Sequence, residues 1–128
     1  MDDKRIDIRW RDLDAYGHVN QAVYLTYAEE VLDAWFRQRL ALAPGAVWDY
    51  VAAKATIEYR SELRQADLQA VGSVESVTLG TKSVTARTAL RAPDGRLAAE
   101  IELVVVAIDG RGGPSRALTE AERAALSG

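Results

Sequence analysis

The chain has no cysteine and a single histidine among its 128 residues. The first absence removes disulfides, thiolate metal sites and cysteine nucleophiles together, so a covalent catalyst here is an oxygen or nitrogen nucleophile. The second means that every scheme with an imidazole base must use His18. A metal site would have to rest on carboxylates around that one imidazole, so neither a metal nor a cofactor is expected. Positive charge is not in excess either: 16 Lys and Arg stand against 19 Asp and Glu, a net charge of −3. That argues against the broad basic field that nucleic acid requires. No apolar run approaches the ~20 residues that span a bilayer. The opening Met1-Asp2-Asp3-Lys4-Arg5 lacks the apolar core of a signal peptide. A cytoplasmic protein with no membrane or nucleic-acid partner is the expectation.

What is present fits one domain over 1–128, 48% apolar and 27% charged, large enough for a single core. Ile6, Ile8 and Trp10 alternate with Asp7, Arg9 and Arg11, the period of a short strand. From Gln21 to Leu42 the period changes. Tyr24, Tyr27, Ala28, Val31, Ala34 and Trp35 recur at three and four, with Thr26, Glu29, Glu30, Asp33 and Arg37 opposite them. This predicts one long helix, capped by Asn20, supported by an Asp33/Arg37 pair and stopped by Ala43-Pro44-Gly45.

Beyond it, Val51, Ala53, Ala55, Ile57 and Tyr59 alternate with polar or small residues, and Leu68–Leu79, Ser83–Ala92 and Leu97–Ile108 read as further strands. Tight turns at Leu79-Gly80-Thr81-Lys82 and Pro93-Asp94-Gly95 make consecutive strands antiparallel. Leu103 to Ile108 has no polar face, which predicts cover on both sides, by the helix and by another subunit. A short helix over 119–126 closes the chain. The order predicts an α+β fold, a sheet curled around one central helix.

Chemistry concentrates in Arg11-Asp12-Leu13-Asp14-Ala15-Tyr16-Gly17-His18-Val19-Asn20, which holds two carboxylates, the imidazole and a helix cap. By residue type alone, aspartates before a helix shape turns as readily as they catalyse. A lone histidine is more often structural than reactive. A Ser-His-Asp triad would need Ser61, Ser73, Ser76 or Ser83 to reach His18, and no Gly-x-Ser-x-Gly elbow occurs. The Gly-rich stretch Gly110-Arg111-Gly112-Gly113 lacks the strand-loop-helix setting of a nucleotide loop and reads as a turn.

The run Arg9-Trp10-Arg11-Asp12-Leu13-Asp14-Ala15-Tyr16-Gly17-His18-Val19-Asn20, with Tyr24-Leu25-x-Tyr27-x-Glu29-Glu30 after it, resembles the hot-dog-fold acyl-CoA thioesterases of the 4-hydroxybenzoyl-CoA thioesterase type. Ile57-Glu58-Tyr59 and Leu79-Gly80-Thr81-Lys82-Ser83 agree with that family in order and spacing. The family's second asparagine is Gln21 here, and its helix arginine is replaced near Leu32. The resemblance implies hydrolysis of an acyl-CoA with Asp14 as catalytic carboxylate and His18 assisting by hydrogen bonding. It also implies a homodimer or homotetramer with the site between subunits. Gly17, Asn20 and Tyr24 are expected beside the substrate, with amides of the Gly17-to-Tyr24 loop as oxyanion donors. Of the cations Arg60, Arg64, Lys82, Arg87 and Arg91, Arg60 and Lys82 are singled out for the coenzyme A phosphates. The depth of the acyl pocket would turn on how Tyr24, Trp35, Trp48 and Tyr50 meet across subunits. A noncatalytic acyl-CoA-binding module and an enoyl-CoA hydratase-like enzyme are the competing readings.

Overall fold

The computed structural model describes residues 3–127, so Met1 and Asp2 of the charged opening, and Gly128, lie outside it. Five strands, β1 (Lys4–Asp7), β2 (Tyr50–Tyr59), β3 (Gln69–Leu79), β4 (Ser83–Arg91) and β5 (Leu97–Ala107), form one antiparallel sheet in the order β1-β3-β4-β5-β2. The long helix α1 (Gln21–Arg39) packs across β3 and β4, and a short helix α2 (Glu120–Leu126) closes the chain. This is the hot-dog arrangement that the opening motif implied. No helix of the described residues is long and apolar enough to cross a membrane.

The helix begins where Asn20 allows it to: the Asn20 side-chain oxygen accepts from the Ala22 amide at 3.0 Å, satisfying one of the orphan donors of the first turn. Tyr24, Tyr27, Ala28, Val31, Leu32, Trp35 and Phe36 are buried in one stripe, with Ala34 only half-buried. Closest contact with the sheet falls at Gly72 on β3, where an added Cβ would lie 2.2 Å from Val31 Cγ2. Glycine is required there because the helix occupies the volume of a side chain.

Three expectations need correction. The helix ends at Arg39 rather than Leu42, because Ala41 turns the chain at φ 50° and Ala41 and Leu42 donate back to Gln38 and Arg37. Arg37 pairs with Asp33 at 2.9 Å as anticipated, and also holds the Ala46 carbonyl, pinning the loop that follows. The first strand stops at Asp7, and Trp10 opens a single 3-10 turn, Trp10–Asp12, instead of continuing the alternation. In β2 a bulge between Ala52 and Lys54 changes the phase of the pleat. Val51 pairs with Val106 on the outer face while Ala55, Ile57 and Tyr59 oppose Leu103, Ile101 and Ala99 on the inner one.

β2 is a sheet edge, and its residues are largely exposed, Val51 and Tyr59 each at 48%. On β5, Leu103, Val105 and Ala107 are buried towards the helix, whereas Val104 and Val106 on the other face are only half-buried within the chain.

The C-terminal segment is tied down by Glu122. Its carboxylate accepts from Arg116 at 2.7 and 2.8 Å, from Trp48 Nε1 at 2.6 Å and from the Thr119 amide at 2.8 Å. The Arg116 guanidinium holds this carboxyl down at about 2, against partial opposition from burial. A carboxyl depressed on folding stabilises the native state above its ordinary value of 4.5, and that contribution is lost as pH falls towards 2. Thermal unfolding followed between those limits is therefore expected to show Tm falling with acid, and the fall to be shallower in Glu122→Gln. Parallel profiles for the two proteins would remove Glu122 from the acid response.

Candidate active site

The segment before α1 is a tight loop built on its own aspartates. Asp12 is buried, and its Oδ2 accepts from the Tyr27 hydroxyl at 2.6 Å, the Arg9 amide at 3.0 Å and Arg9 Nε at 3.3 Å. Burial pushes this carboxyl up, but the Tyr27 and Arg9 hydrogen bonds outweigh it and leave Asp12 below the usual carboxylate range. Tyr27 is correspondingly pushed far up, by burial first and by Asp12 second. Asp12 is thus an orienting group that anchors the loop to the helix core.

Asp14 closes the loop on itself. Its amide donates to the His18 carbonyl at 2.8 Å, and its Oδ1 accepts from the amides of Tyr16 at 2.9 Å and His18 at 3.1 Å. Gly17, at φ 78°, makes the turn between them. Oδ2 has no hydrogen-bond partner among the described residues. Asp14 therefore has one oxygen that holds its position and one without a partner among the described residues.

Asp14 lies in the wall of a cleft of about 310 Å³, together with His18, Gln21, Tyr24, Tyr59 and Glu62. Val19, Arg60 and Ser61 complete the lining. The Tyr24 hydroxyl accepts from the Leu63 amide at 2.9 Å, and its ring meets that of Tyr59 edge-on at 5.2 Å. Tyr59 in turn donates to the Gln21 carbonyl at 2.9 Å. These bonds lock the end of β2 to the start of α1, so the two walls form one rigid surface. His18 Nε2 sits 3.1 Å from Glu62 Oε2, which also meets Arg64 at 3.2 Å.

The donors at the head of α1 are mostly committed. The Gly17 amide goes to the Asp14 carbonyl, Val19 to Leu63, Asn20 to Asp12, and Ala22 and Val23 to Asn20. The amide of Gln21, at the first helical position and in the cleft wall, has no partner among the described residues. An unpaired amide at the positive end of a helix dipole favours negative charge beside it.

The structure thus brings Asp14, His18, Tyr24 and Arg60 together and sets the other expected residues elsewhere. Asn20 spends its side-chain oxygen on the helix cap. Gly17 is not in the cleft lining but borders a second cavity that Asp14 also lines. Lys82 is in the β3–β4 turn, beside Ser115 at 3.2 Å and bonded through its carbonyl to Ala107, at the far end of the sheet. Arg60 reaches the cleft already paired with Glu58 and Glu100 at 3.0 and 2.9 Å. Trp48 and Tyr50 surround Phe36, with ring centroids 4.7 and 5.1 Å away, rather than lining the cleft. Sequence reasoning covered Gln21 only among the loop amides and Ser61 only in a triad it set aside, and did not assign Tyr59 or Glu62 to the site. Tyr59 was signalled by Ile57-Glu58-Tyr59, whereas nothing in the linear order sets Glu62 opposite His18. Ser61, the serine in the cleft wall, donates its hydroxyl to the Leu97 carbonyl at 2.7 Å, which disfavours a nucleophilic role.

The family model of the thioesterase-like superfamily matches residues 8–126. A thioesterase from Thermus thermophilus, solved with coenzyme A and zinc, is 31% identical, with 97% of this chain and 90% of that one covered and a TM-score of 0.79. A Xanthomonas campestris protein with a provisional assignment as an acyl-CoA thioesterase is 31% identical over 85% of this chain and 93% of its own, TM-score 0.69. The PA5185 protein from Pseudomonas aeruginosa shares the fold at TM-score 0.84 and 24% identity, covering 98% and 89%. No curated protein matches closely enough to count as a relative.

Proposed function

The chain belongs to the thioesterase-like superfamily, and from that membership and the cleft beside α1 we propose that it hydrolyses an acyl-CoA to a free carboxylic acid and coenzyme A, with Asp14 as the catalytic carboxylate. The observation that carries the assignment is the division of labour within that side chain: Oδ1 is fixed by two loop amides, Oδ2 has no partner among the described residues, and Asp14 borders the cleft. A thioester suits a site this spare. Its carbonyl gains little from resonance, and its thiol leaves with a pKa of about 8.5 by analogy with cysteine, so no strong general acid is needed. Asp14 either attacks the carbonyl carbon, so that the C–S bond breaks, the thiol leaves and a mixed anhydride forms, which water then hydrolyses to the free acid and the restored carboxylate, or it takes a proton from the attacking water. The Gln21 amide is a donor for the oxyanion in either route. His18, held by Glu62, borders the same space and can orient the carbonyl.

The exposed β2 edge supports a two-fold dimer in which two β2 strands pair antiparallel. Antiparallel pairing carries the Tyr50 end of one chain to the Tyr59 end of the other. Because Tyr50 pairs with Ala107 and Ala107 donates to Lys82, the partner's Lys82 then approaches the cleft that its own chain cannot reach. This gives Lys82 a phosphate-binding role across the interface.

The test is to incubate the purified protein with short, long and aromatic acyl-CoAs and follow free thiol with a thiol-reactive dye, alongside sedimentation. Thiol release from at least one of them by a dimer or larger assembly is expected. Tight binding with no thiol released would mean a noncatalytic module, and hydration of an enoyl-CoA without thiol would mean a hydratase; either overturns the assignment.

A further inference from the structure

The loop that carries Asp14 also borders a second cavity, of about 620 Å³, whose lining includes Trp10, Arg11, Leu13, Asp14, Gly17 and Gln65. Trp10 is 82% exposed, an unusual position for the largest apolar side chain in a protein whose other tryptophans are buried or half-buried. Nor is it on a loose tether. Its 3-10 turn is clamped by the Arg9 amide on Asp12 and by the Leu13 amide on the Trp10 carbonyl, with Asp12 itself fixed to Tyr27. A planar face presented rigidly to solvent is a platform on which another ring can stack.

Beside it, Arg11 has no ion pair or hydrogen-bond partner among the described residues, whereas Arg9, Arg60, Arg64 and Arg96 nearby each hold a carboxylate. An uncommitted guanidinium favours phosphate, which it can bind in a forked geometry. Gln65 adds an amide able to donate and accept. Ring platform, free cation and amide together match a purine nucleotide better than an aliphatic chain.

We propose that this cavity is a subsite for an adenine nucleotide and, resting on the reading of the protein as an acyl-CoA thioesterase, that it takes the nucleotide end of the substrate. Asp14 lines both cavities, so a thioester seated at its carboxylate can pass its flexible arm over the loop and set its base on Trp10. The subsite then contributes to affinity for the carrier and not to choice among acyl groups.

Removing one stacked base partner typically weakens binding about tenfold. Trp10→Ala is therefore expected to raise KM for an acyl-CoA by about that factor. The preference for the acyl-CoA over the same acyl group on pantetheine alone should fall equally, and Trp10→Phe should restore most of it. Calorimetric titration with the free nucleotide portion of coenzyme A reads the cavity without turnover. Binding to the wild-type protein, weakened in Trp10→Ala and in Arg11→Gln, supports the subsite. Equal losses on both substrates, or no heat from the nucleotide with the wild-type protein, would overturn it. A protein that binds the nucleotide at Trp10 yet releases no thiol would keep the subsite and refute the proposed activity.

Discussion

Asp14→Asn is expected to lower kcat for thioester hydrolysis by about 10²–10⁴-fold while leaving thermal stability nearly unchanged. The two halves follow from the two oxygens. An asparagine carbonyl can still accept the Tyr16 and His18 amides that Oδ1 now accepts at 2.9 and 3.1 Å, so the loop keeps its shape. What disappears is the anionic Oδ2, and an amide neither attacks a thioester nor takes a proton from water. Thiol release measured beside a melting curve separates these effects. A variant within a few fold of wild type would end the case for Asp14, and one that melts much earlier would show the carboxylate serving the fold instead.

Asp12→Ala is expected to do the reverse, costing about 3 kcal/mol of stability, near 10 °C in Tm for a domain of this size. The Tyr27 hydroxyl is fully buried, and the Arg9 amide is held by the same oxygen, so removal of the carboxylate strands both donors. Tyr27→Phe added to Asp12→Ala should cost less than the sum of the single changes, because the second substitution removes a donor that the first left unpaired. Chemical denaturation of the three proteins checks this, and a single-mutant loss below about 1 kcal/mol would contradict it.

The contrast between these neighbouring acids marks how far the residues could be read in order along the chain. Two aspartates at alternate positions look alike in sequence. They diverge because Asp12 falls beneath Tyr27, fifteen residues on, while Asp14 turns outward over its own backbone. The start of α1 was legible because Asn20 acts locally through a neighbouring amide, and the strands from Gln69 to Ala107 because tight turns and alternation are also local. The end of α1 was not, since Ala41 adopts a left-handed conformation that alanine does not advertise. The β2 bulge was hidden for a similar reason: in Val51-Ala52-Ala53 the small residues leave the phase of the pleat undetermined until the partner strand sets it. In the site, Glu62 and Ser61 reach the cleft through the Tyr24–Leu63 bond between α1 and the exit of β2, a contact made only by folding.

The absence of a side chain at Gly72 reaches further than the spot it empties. Val31 rests in that gap, roughly 15 Å along the axis from the helix start, so the helix sits on the sheet as a lever on a fulcrum. Bulk added at the fulcrum would tip the far end, and with it the Asn20 cap and the Asp14 loop hinged there. If Asp14 acts as proposed, substitutions in the middle of the core retune turnover without touching any ligand, and laboratory evolution of this enzyme would do well to sample them.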